Sequence, residues 1–149
     1  MIEKIRLIKL CESKLSDTIE RLKTDLEKLN TSSEEDTKSS AGDKYETSRE
    51  MIQQERDKLG RNLQETLKMH QSLKSISISR AFSKVKRGSI VETSKAVYFI
   101  SVPLGQISVD GKHVFVISPL APIAQNMLDK SASDFFEING SKQEIFKVY

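Results

Sequence analysis

The length, composition and charge of the chain favour one compact domain of ordinary size or two small ones. The sequence has 149 residues and a formal net charge of +3, with six Phe, three Tyr and no Trp, so much of it must be helical surface beside a small core. Residues 31 to 50 contain three basic and six acidic residues, whereas residues 80 to 149 contain nine and six. This distribution argues against a plain duplex-binding protein, which needs basic groups along one contact face.

Cysteine content and apolar patterning bear on the compartment. Cys11 is the only cysteine, so no intrachain disulfide and no cysteine-rich zinc site can form, which is typical of a reducing compartment. The first residues alternate charge with apolar side chains and lack the uninterrupted apolar core of a signal peptide. No run of the sequence is long enough to span a bilayer. We therefore expect a cytoplasmic protein that does not bind a membrane.

A heptad pattern predicts the first helix. From Ile5 onward, apolar residues recur at steps of three and four residues, with Glu12 as the polar interruption. This spacing is typical of the narrow apolar seam of a coiled coil. The predicted seam consists of Ile5, Ile8, Leu15, Ile19, Leu22, Leu26 and Leu29.

A polar segment and a second helical pattern follow. Residues 30 to 41 are acidic at Glu34, Glu35 and Asp36 and contain no apolar residue larger than alanine, which predicts a turn with some frayed helix. A second helix is predicted from about Tyr45 to Ser75, interrupted only by Gly60. Its predicted apolar stripe consists of Met51, Leu59, Leu63, Leu67 and Leu73.

Two helices that each carry a single apolar stripe bury those stripes most simply against each other. We therefore predict an antiparallel coiled-coil hairpin over residues 1–76, with its tip near residues 31–47. At a rise of 1.5 Å per residue, an arm of about 30 residues would reach roughly 45 Å. A four-helix bundle completed by dimerisation stays open as the alternative, because a hairpin of two helices leaves its apolar seam partly exposed to solvent.

The second half of the chain changes period at Gly88. Residues 77–87, where serines alternate with apolar and basic residues, are predicted to be a linker. Strands are predicted at 89–92, 95–102, 106–117, 135–138 and 144–148, with hairpin turns at Asp110-Gly111 and Asn139-Gly140. Residues 118–128 predict a short helix with Ser118 as its cap and Pro119 in its first turn. Residues 88–149 therefore predict a small α+β domain with one helix on a mostly antiparallel sheet.

Asp43 and Glu46 are the candidate metal ligands. Two carboxylates three residues apart at a helix start can share a divalent cation through oxygen ligands, with water completing the coordination. The same spacing is that of a capping box, which stabilises a helix by about 1 kcal/mol, and spacing alone favours the cap while leaving both interpretations open. Tyr45 and Arg49 lie beside the pair, where they either contact a base or phosphate of a partner or are ordinary surface residues.

Nothing else in the sequence indicates a complete active site. His70 and His113 belong to different predicted elements without an acid-rich or cysteine neighbourhood, and the serines near the predicted linker have no spaced His or Asp partner. A glycine-rich phosphate loop is also missing from the sequence. We therefore expect an accessory factor rather than an enzyme.

Two motifs resemble the Gre family of bacterial transcript-cleavage factors, over nearly the whole chain. Gly42-Asp43-Lys44-Tyr45-Glu46 is similar to the family's Gly-Asp-x-x-Glu-Asn tip, with Thr47 in place of the Asn. Ser118-Pro119-Leu120, followed by Ala121, Ala124, Leu128, Asp134 and the hairpin 135–148, resembles the family's Ser-Pro-Leu helix and closing strands and is the more specific of the two motifs.

The resemblance implies an N-terminal coiled coil followed by a domain of FKBP-like fold. It also implies a monomer that binds RNA polymerase at the secondary channel, with Tyr45, Arg49 and Ser118, Pro119 and Leu120 as partner-binding residues. Asp43 and Glu46 would help to hold a Mg²⁺ ion shared with the polymerase active site, close to the RNA 3′ end, where two metals stabilise the attacking and leaving oxygens.

Two other functions stay open on the residues alone. A regulator could use the same channel without stimulating cleavage. Alternatively, the chain could be a coiled-coil interaction protein unrelated to polymerase, in which Asp43 and Glu46 only cap a helix.

Overall fold

Two long helices precede a six-stranded sheet in the part of the chain that the structure describes. The computed structural model describes the backbone of residues 1–38 and 42–149 and the side chains of residues 1–31 and 46–149. The helices are α1 (Lys4–Lys38), α2 (Gly42–Lys74) and α3 (Pro122–Met127), and the strands are β1 (Ile90–Thr93), β2 (Val97–Ile100), β3 (Gly105–Val109), β4 (Lys112–Ile117), β5 (Phe135–Ile138) and β6 (Ser141–Val148). This order confirms the predicted α+β class.

The chain forms two compact units. One consists of residues 14–70, and the other consists of residues 1–13 together with residues 71–149. The domain limits proposed from the sequence stay a prediction. None of the described helices is both long and apolar enough to cross a membrane.

Residues 14–70 bury a heptad seam between α1 and α2. In α1 the seam is the predicted one, with Leu15, Ile19 and Leu22 buried and Leu26 and Leu29 half-buried. Side chains at positions 25–29 of α1 and 55–59 of α2 line one surface cavity. Seam positions elsewhere in α1 and α2 are also buried. The two helices therefore pack side by side as the predicted antiparallel pair.

The seam of α2 differs from the prediction. Met51 and Leu67, which belong to the predicted stripe, are 66% and 38% exposed. The buried and half-buried positions instead recur at steps of four and three residues: Ile52, Arg56, Leu59, Leu63, Thr66 and His70. Arg56, Thr66 and His70 are polar, so the true seam does not stand out as an apolar repeat.

The helices also extend further than predicted. The segment from Asn30, predicted as a turn, remains helical through Lys38, and α2 begins at Gly42 rather than at Tyr45. Residues 30–38 contain neither Gly nor Pro, and their Ser, Glu, Thr and Lys residues are compatible with a helix. The rest of the predicted turn, residues 39–41, lies outside the described residues.

The sheet has the strand order β3-β4-β2-β1-β6-β5. Only β2 and β4 pair in parallel, and the other neighbours pair antiparallel, as the sequence predicts. Both hairpin turns are confirmed: Asp110 and Gly111 have φ of 51° and 77°, and Asn139 and Gly140 have φ of 51° and 76°. Two successive positive φ values match the twist of a two-residue hairpin.

Helix α3 covers the core on one face of the sheet. Ala124 and Met127 of α3 pack in a cluster of fully or almost fully buried residues with Val85, Val91, Tyr98, Ile100, Phe136 and Ile145. The predicted cap is wrong, because α3 begins at Pro122 with Ala121 at the N-cap position and without a side-chain cap. Pro122 has the fixed φ that suits the first helical position, so it starts the helix three residues after Pro119.

The unit of residues 1–13 and 71–149 is here named the sheet unit. Polar contacts hold its N-terminal residues against the sheet. The Arg6 guanidinium lies 2.9 Å from the Asp110 carboxylate. The Ile2 amide donates a hydrogen bond of 2.9 Å to the Tyr149 hydroxyl, which itself donates one of 3.0 Å to Glu92. The predicted seam residue Ile5 is 36% exposed, whereas Leu7 and Cys11 are fully buried, because packing in this unit demands a wider apolar face than a coiled-coil seam.

Candidate functional site

The start of α2 positions the predicted acidic pair. Gly42 is the first residue of α2, so Asp43 and Glu46 both belong to the first two turns of this helix. The side chains of Asp43 and Tyr45 lie outside the described residues. Positions 43 and 46 are three residues apart in one helix, a spacing that places them on the same helical face.

Glu46 is the described member of the pair, and it is exposed. Among the described residues, none forms a hydrogen bond or ion pair with its carboxylate that holds it against the protein. Glu46, Arg49, Glu50 and Gln53 line one surface cavity of about 360 Å³. The acid at position 46 is therefore available to a ligand or to a partner.

The structure adds Glu50 to the site. Glu50 follows Glu46 by four residues on α2 and lines the same cavity, so the two carboxylates share a face of the helix. Glu50 could not be predicted from the five-residue motif, because it lies outside that motif. The signal that could have found it is the spacing 43, 46 and 50, which is the step of three and then four that follows one helical face.

The cavity combines oxygen donors with one cation. Carboxylate oxygens are the ligands that Mg²⁺ prefers, and Mg²⁺ usually keeps several waters besides one or two carboxylates. Arg49 lines the same cavity as the two acids, and its positive charge favours a phosphate but opposes a metal ion. Within residues 1–31 and 46–149, no cluster of three or more His, Cys, Asp or Glu side chains could hold a metal.

The second predicted contact region lies before α3 in the sheet unit. The Leu120 amide donates a hydrogen bond of 3.1 Å to the Ser118 hydroxyl, and the Gln125 side-chain amide donates one of 2.6 Å to the Pro119 carbonyl. These bonds hold a tight turn at residues 118–120. The Leu120 side chain in this turn is 81% exposed. Burying such a side chain against a partner would be favourable, because apolar surface leaves water.

The two histidines belong to different surroundings. His70 lies in the α2 seam, half-buried, and His113 Nδ1 lies 2.7 Å from Gln106 Nε2 on the surface of the β3–β4 hairpin.

The structure brings together Glu46 and Arg49 in one cavity, and Ser118, Pro119 and Leu120 in one turn.

Fold and site together define an α+β chain whose paired helices carry exposed acids near the start of α2. No family model matches the chain. No curated protein matches it either. Among solved structures, one titled "Structure of the transcription factor Gfh1" is similar, with a TM-score of 0.41 and 14% sequence identity, and the match covers 95% of this chain and 94% of that one.

Proposed function

We propose that the chain is a Gre-like transcription elongation factor that binds RNA polymerase at the secondary channel and stimulates cleavage of backtracked RNA. The exposed carboxylate of Glu46 carries the proposal, since it stands at the second acid of the Gly-Asp-x-x-Glu motif in α2. The order of elements supports it, with two packed helices before a mixed sheet. The exposed Leu120 in the Ser-Pro-Leu motif supports a docking contact.

The chemistry would take place in the polymerase. Asp43 and Glu46 would hold a Mg²⁺ ion with waters, and a second metal at a phosphodiester supplies charge stabilisation at the attacking and leaving oxygens. The exposed Glu46 carboxylate fits this role, because an oxygen ligand shared with another macromolecule must be reachable from solvent. The factor's own contribution is to position its acids, while Arg49 in the same cavity contacts RNA phosphate.

The test is RNA shortening in a stalled, backtracked elongation complex. We expect the wild-type chain to shorten the RNA and the Asp43→Ala, Glu46→Ala double variant to lose at least tenfold in rate, since each lost metal ligand or charged contact costs roughly a factor of ten or more. Glu65→Ala, which removes an exposed acid elsewhere on α2, serves as the matched control and should retain the wild-type rate. Unchanged RNA length with the wild-type chain, or shortening unaffected by the double variant, would reject the proposal.

A non-cleaving regulator of the same channel is the second candidate. Arg49 lines the cavity of Glu46, and Lys44 stands between the two acids in the sequence. Positive charges close to a metal position weaken cation binding. This candidate predicts competition with a known channel-binding factor and altered pausing, without metal-dependent shortening of RNA.

A further inference from the structure

The segment before β1 is unusually basic. From Thr66 to Val91 the sequence contains six Lys or Arg residues and no Asp or Glu. Arg87 has an internal role, because its guanidinium donates hydrogen bonds of 2.7 to 2.9 Å to Ser72 and Ser75. Residues 80–86, here named the basic loop, contain Arg80, Lys84 and Lys86.

The basic loop is held in place by the sheet unit. The Val85 amide donates to the Lys130 carbonyl and the Asp129 amide donates to the Val85 carbonyl, both at 2.9 Å, and Val85 is fully buried. The Phe82 ring packs against Gly88, where an added Cβ would lie 3.4 Å from the ring. The loop backbone is therefore organised before any ligand arrives, which lowers the entropic cost of binding.

The Lys4 side chain faces this loop. Lys4 is only 9% exposed, and its Nζ lies 3.4 Å from the Arg80 carbonyl and 4.7 Å from the centre of the Phe82 ring. Burial lowers the pKa of Lys4. In the described part of the chain, no carboxylate lies within ion-pair distance of Lys4. Partial burial of a charge without an ion-pair partner is costly, so a negative group bound beside Lys4 would be favourable.

Further cations converge on the same place. The Arg80 guanidinium carbon lies 5.0 Å from the centre of the Phe82 ring that Lys4 also contacts. Residues 80–84 and Lys86 line a cavity of about 140 Å³. Among the described residues, the one acid in contact with these cations is Asp129, 3.5 Å from Lys86 and largely exposed. Positive charge therefore exceeds negative charge at the cavity.

We propose that the basic loop, with Lys4, binds a phosphate group of a small anionic ligand. Lysine and arginine donors form strong charge-assisted hydrogen bonds to phosphate oxygens, and a multiply charged anion can engage several of them at once. The cavity is smaller than the roughly 300–1,000 Å³ of pockets that enclose a whole organic ligand, so it accommodates the phosphate and leaves the rest of the ligand outside. Two cations already lie over Phe82, which argues against stacking of a nucleobase on this ring.

Calorimetric titration of the full chain with inorganic pyrophosphate, in metal-free buffer of fixed ionic strength, tests the site. We expect one bound pyrophosphate per chain and a dissociation constant roughly tenfold higher in Arg80→Ala and in Lys84→Ala, because a hydrogen bond between charged groups contributes about that factor. Lys112→Ala, which removes an exposed lysine from the β4 end of the sheet, is the matched control and should bind like the wild type. No measurable binding, or equal binding by all four proteins, would overturn the proposal.

Lys4→Met separates binding from folding. This change keeps most of the side-chain length but removes the unpaired charge, so we expect a melting temperature at or above that of the wild type without anion and a smaller rise on adding pyrophosphate. An unchanged rise would remove Lys4 from the site and overturn the proposal in this form. Single-stranded RNA provides the second arm: tighter binding of RNA than of pyrophosphate, lost in Arg80→Ala, would overturn the small-ligand proposal by assigning the loop to a nucleic acid backbone.

Discussion

The Tyr149 hydroxyl links Ile2 to Glu92 through two hydrogen bonds. Tyr149→Phe should therefore destabilise the protein by about 2 kcal/mol. The change removes the acceptor of the Ile2 amide and the donor to the Glu92 carboxylate, at 2.9 and 3.0 Å. A neutral hydrogen bond contributes about 1 kcal/mol and one to a charged group about 1.5–3 kcal/mol. Because Tyr149 is only half-buried, we place the combined effect slightly below the lower end of that sum.

The same contacts predict a pH dependence. Burial, and then the hydrogen bond and negative charge of Glu92, raise the pKa of Tyr149 to about 12 from an ordinary value of 10.0. A pKa that is higher in the folded state means that the folded chain holds the proton more tightly. The stability contributed by Tyr149 is therefore complete below pH 10 and is lost as the pH rises from 10 toward 12.

Urea unfolding followed by circular dichroism measures both effects. The difference in free energy of unfolding between wild type and Tyr149→Phe should be constant up to pH 10 and should shrink above it. Glu92→Gln keeps a hydrogen-bond acceptor but removes the charge, so its free energy of unfolding should lie between those of the wild type and Tyr149→Phe. A difference below about 0.5 kcal/mol at neutral pH, the usual size for a surface change, would refute the reasoning. So would a difference that stays constant up to pH 12.

Three further changes test the packing by the same unfolding assay. Gly60→Ala should raise the free energy of unfolding by about 1 kcal/mol, because an added Cβ meets no atom within 4 Å in the middle of α2; a loss would mean that this part of α2 is not helical. Phe99→Ala should lower it by about 3–5 kcal/mol, since Phe99 is fully buried, and a loss under about 1 kcal/mol would contradict its core position. Arg6→Ala should cost less than about 1 kcal/mol, because Arg6 and Asp110 are 60% and 54% exposed, and a larger loss that persists in high salt would contradict an exposed ion pair.

The parts of the fold that depend on local chemistry could be predicted from the sequence. Asp110-Gly111 and Asn139-Gly140 have the residue types that adopt two positive φ values, and both form hairpin turns. Within residues 14–70, the α1 seam could be predicted because its buried residues, Leu15, Ile19 and Leu22, are all apolar. Each of these predictions needs only residues close together in the chain.

Features set by distant partners could not be predicted in this way. Arg56, Thr66 and His70 occupy seam positions of α2, so a search for apolar repeats selects the exposed Met51 and Leu67 instead. Thr66 tolerates its buried position because its hydroxyl donates a hydrogen bond of 2.7 Å to the Asn62 carbonyl.

The same limit applies to the sites. The motif around Glu46 and Arg49 could be found from the sequence, and these two residues line one cavity. Glu50 was missed because it lies beyond the motif, and the burial of Lys4 was missed because Phe82 is far away in the chain. The sequence predicts Pro119 in the first turn of α3, whereas the helix begins at Pro122 and packs Ala124 and Met127 on the sheet.

The Mg²⁺ dependence of RNA cleavage in a backtracked elongation complex tests the central claim most directly. If acids of this chain help to hold a metal in the polymerase, then adding the wild-type protein lowers the Mg²⁺ concentration needed for half-maximal cleavage. Glu46→Ala should shift that concentration back by roughly tenfold or more, and Glu65→Ala should leave it unchanged. A Mg²⁺ dependence that is identical with the wild-type protein, with Glu46→Ala and without the factor would contradict the account.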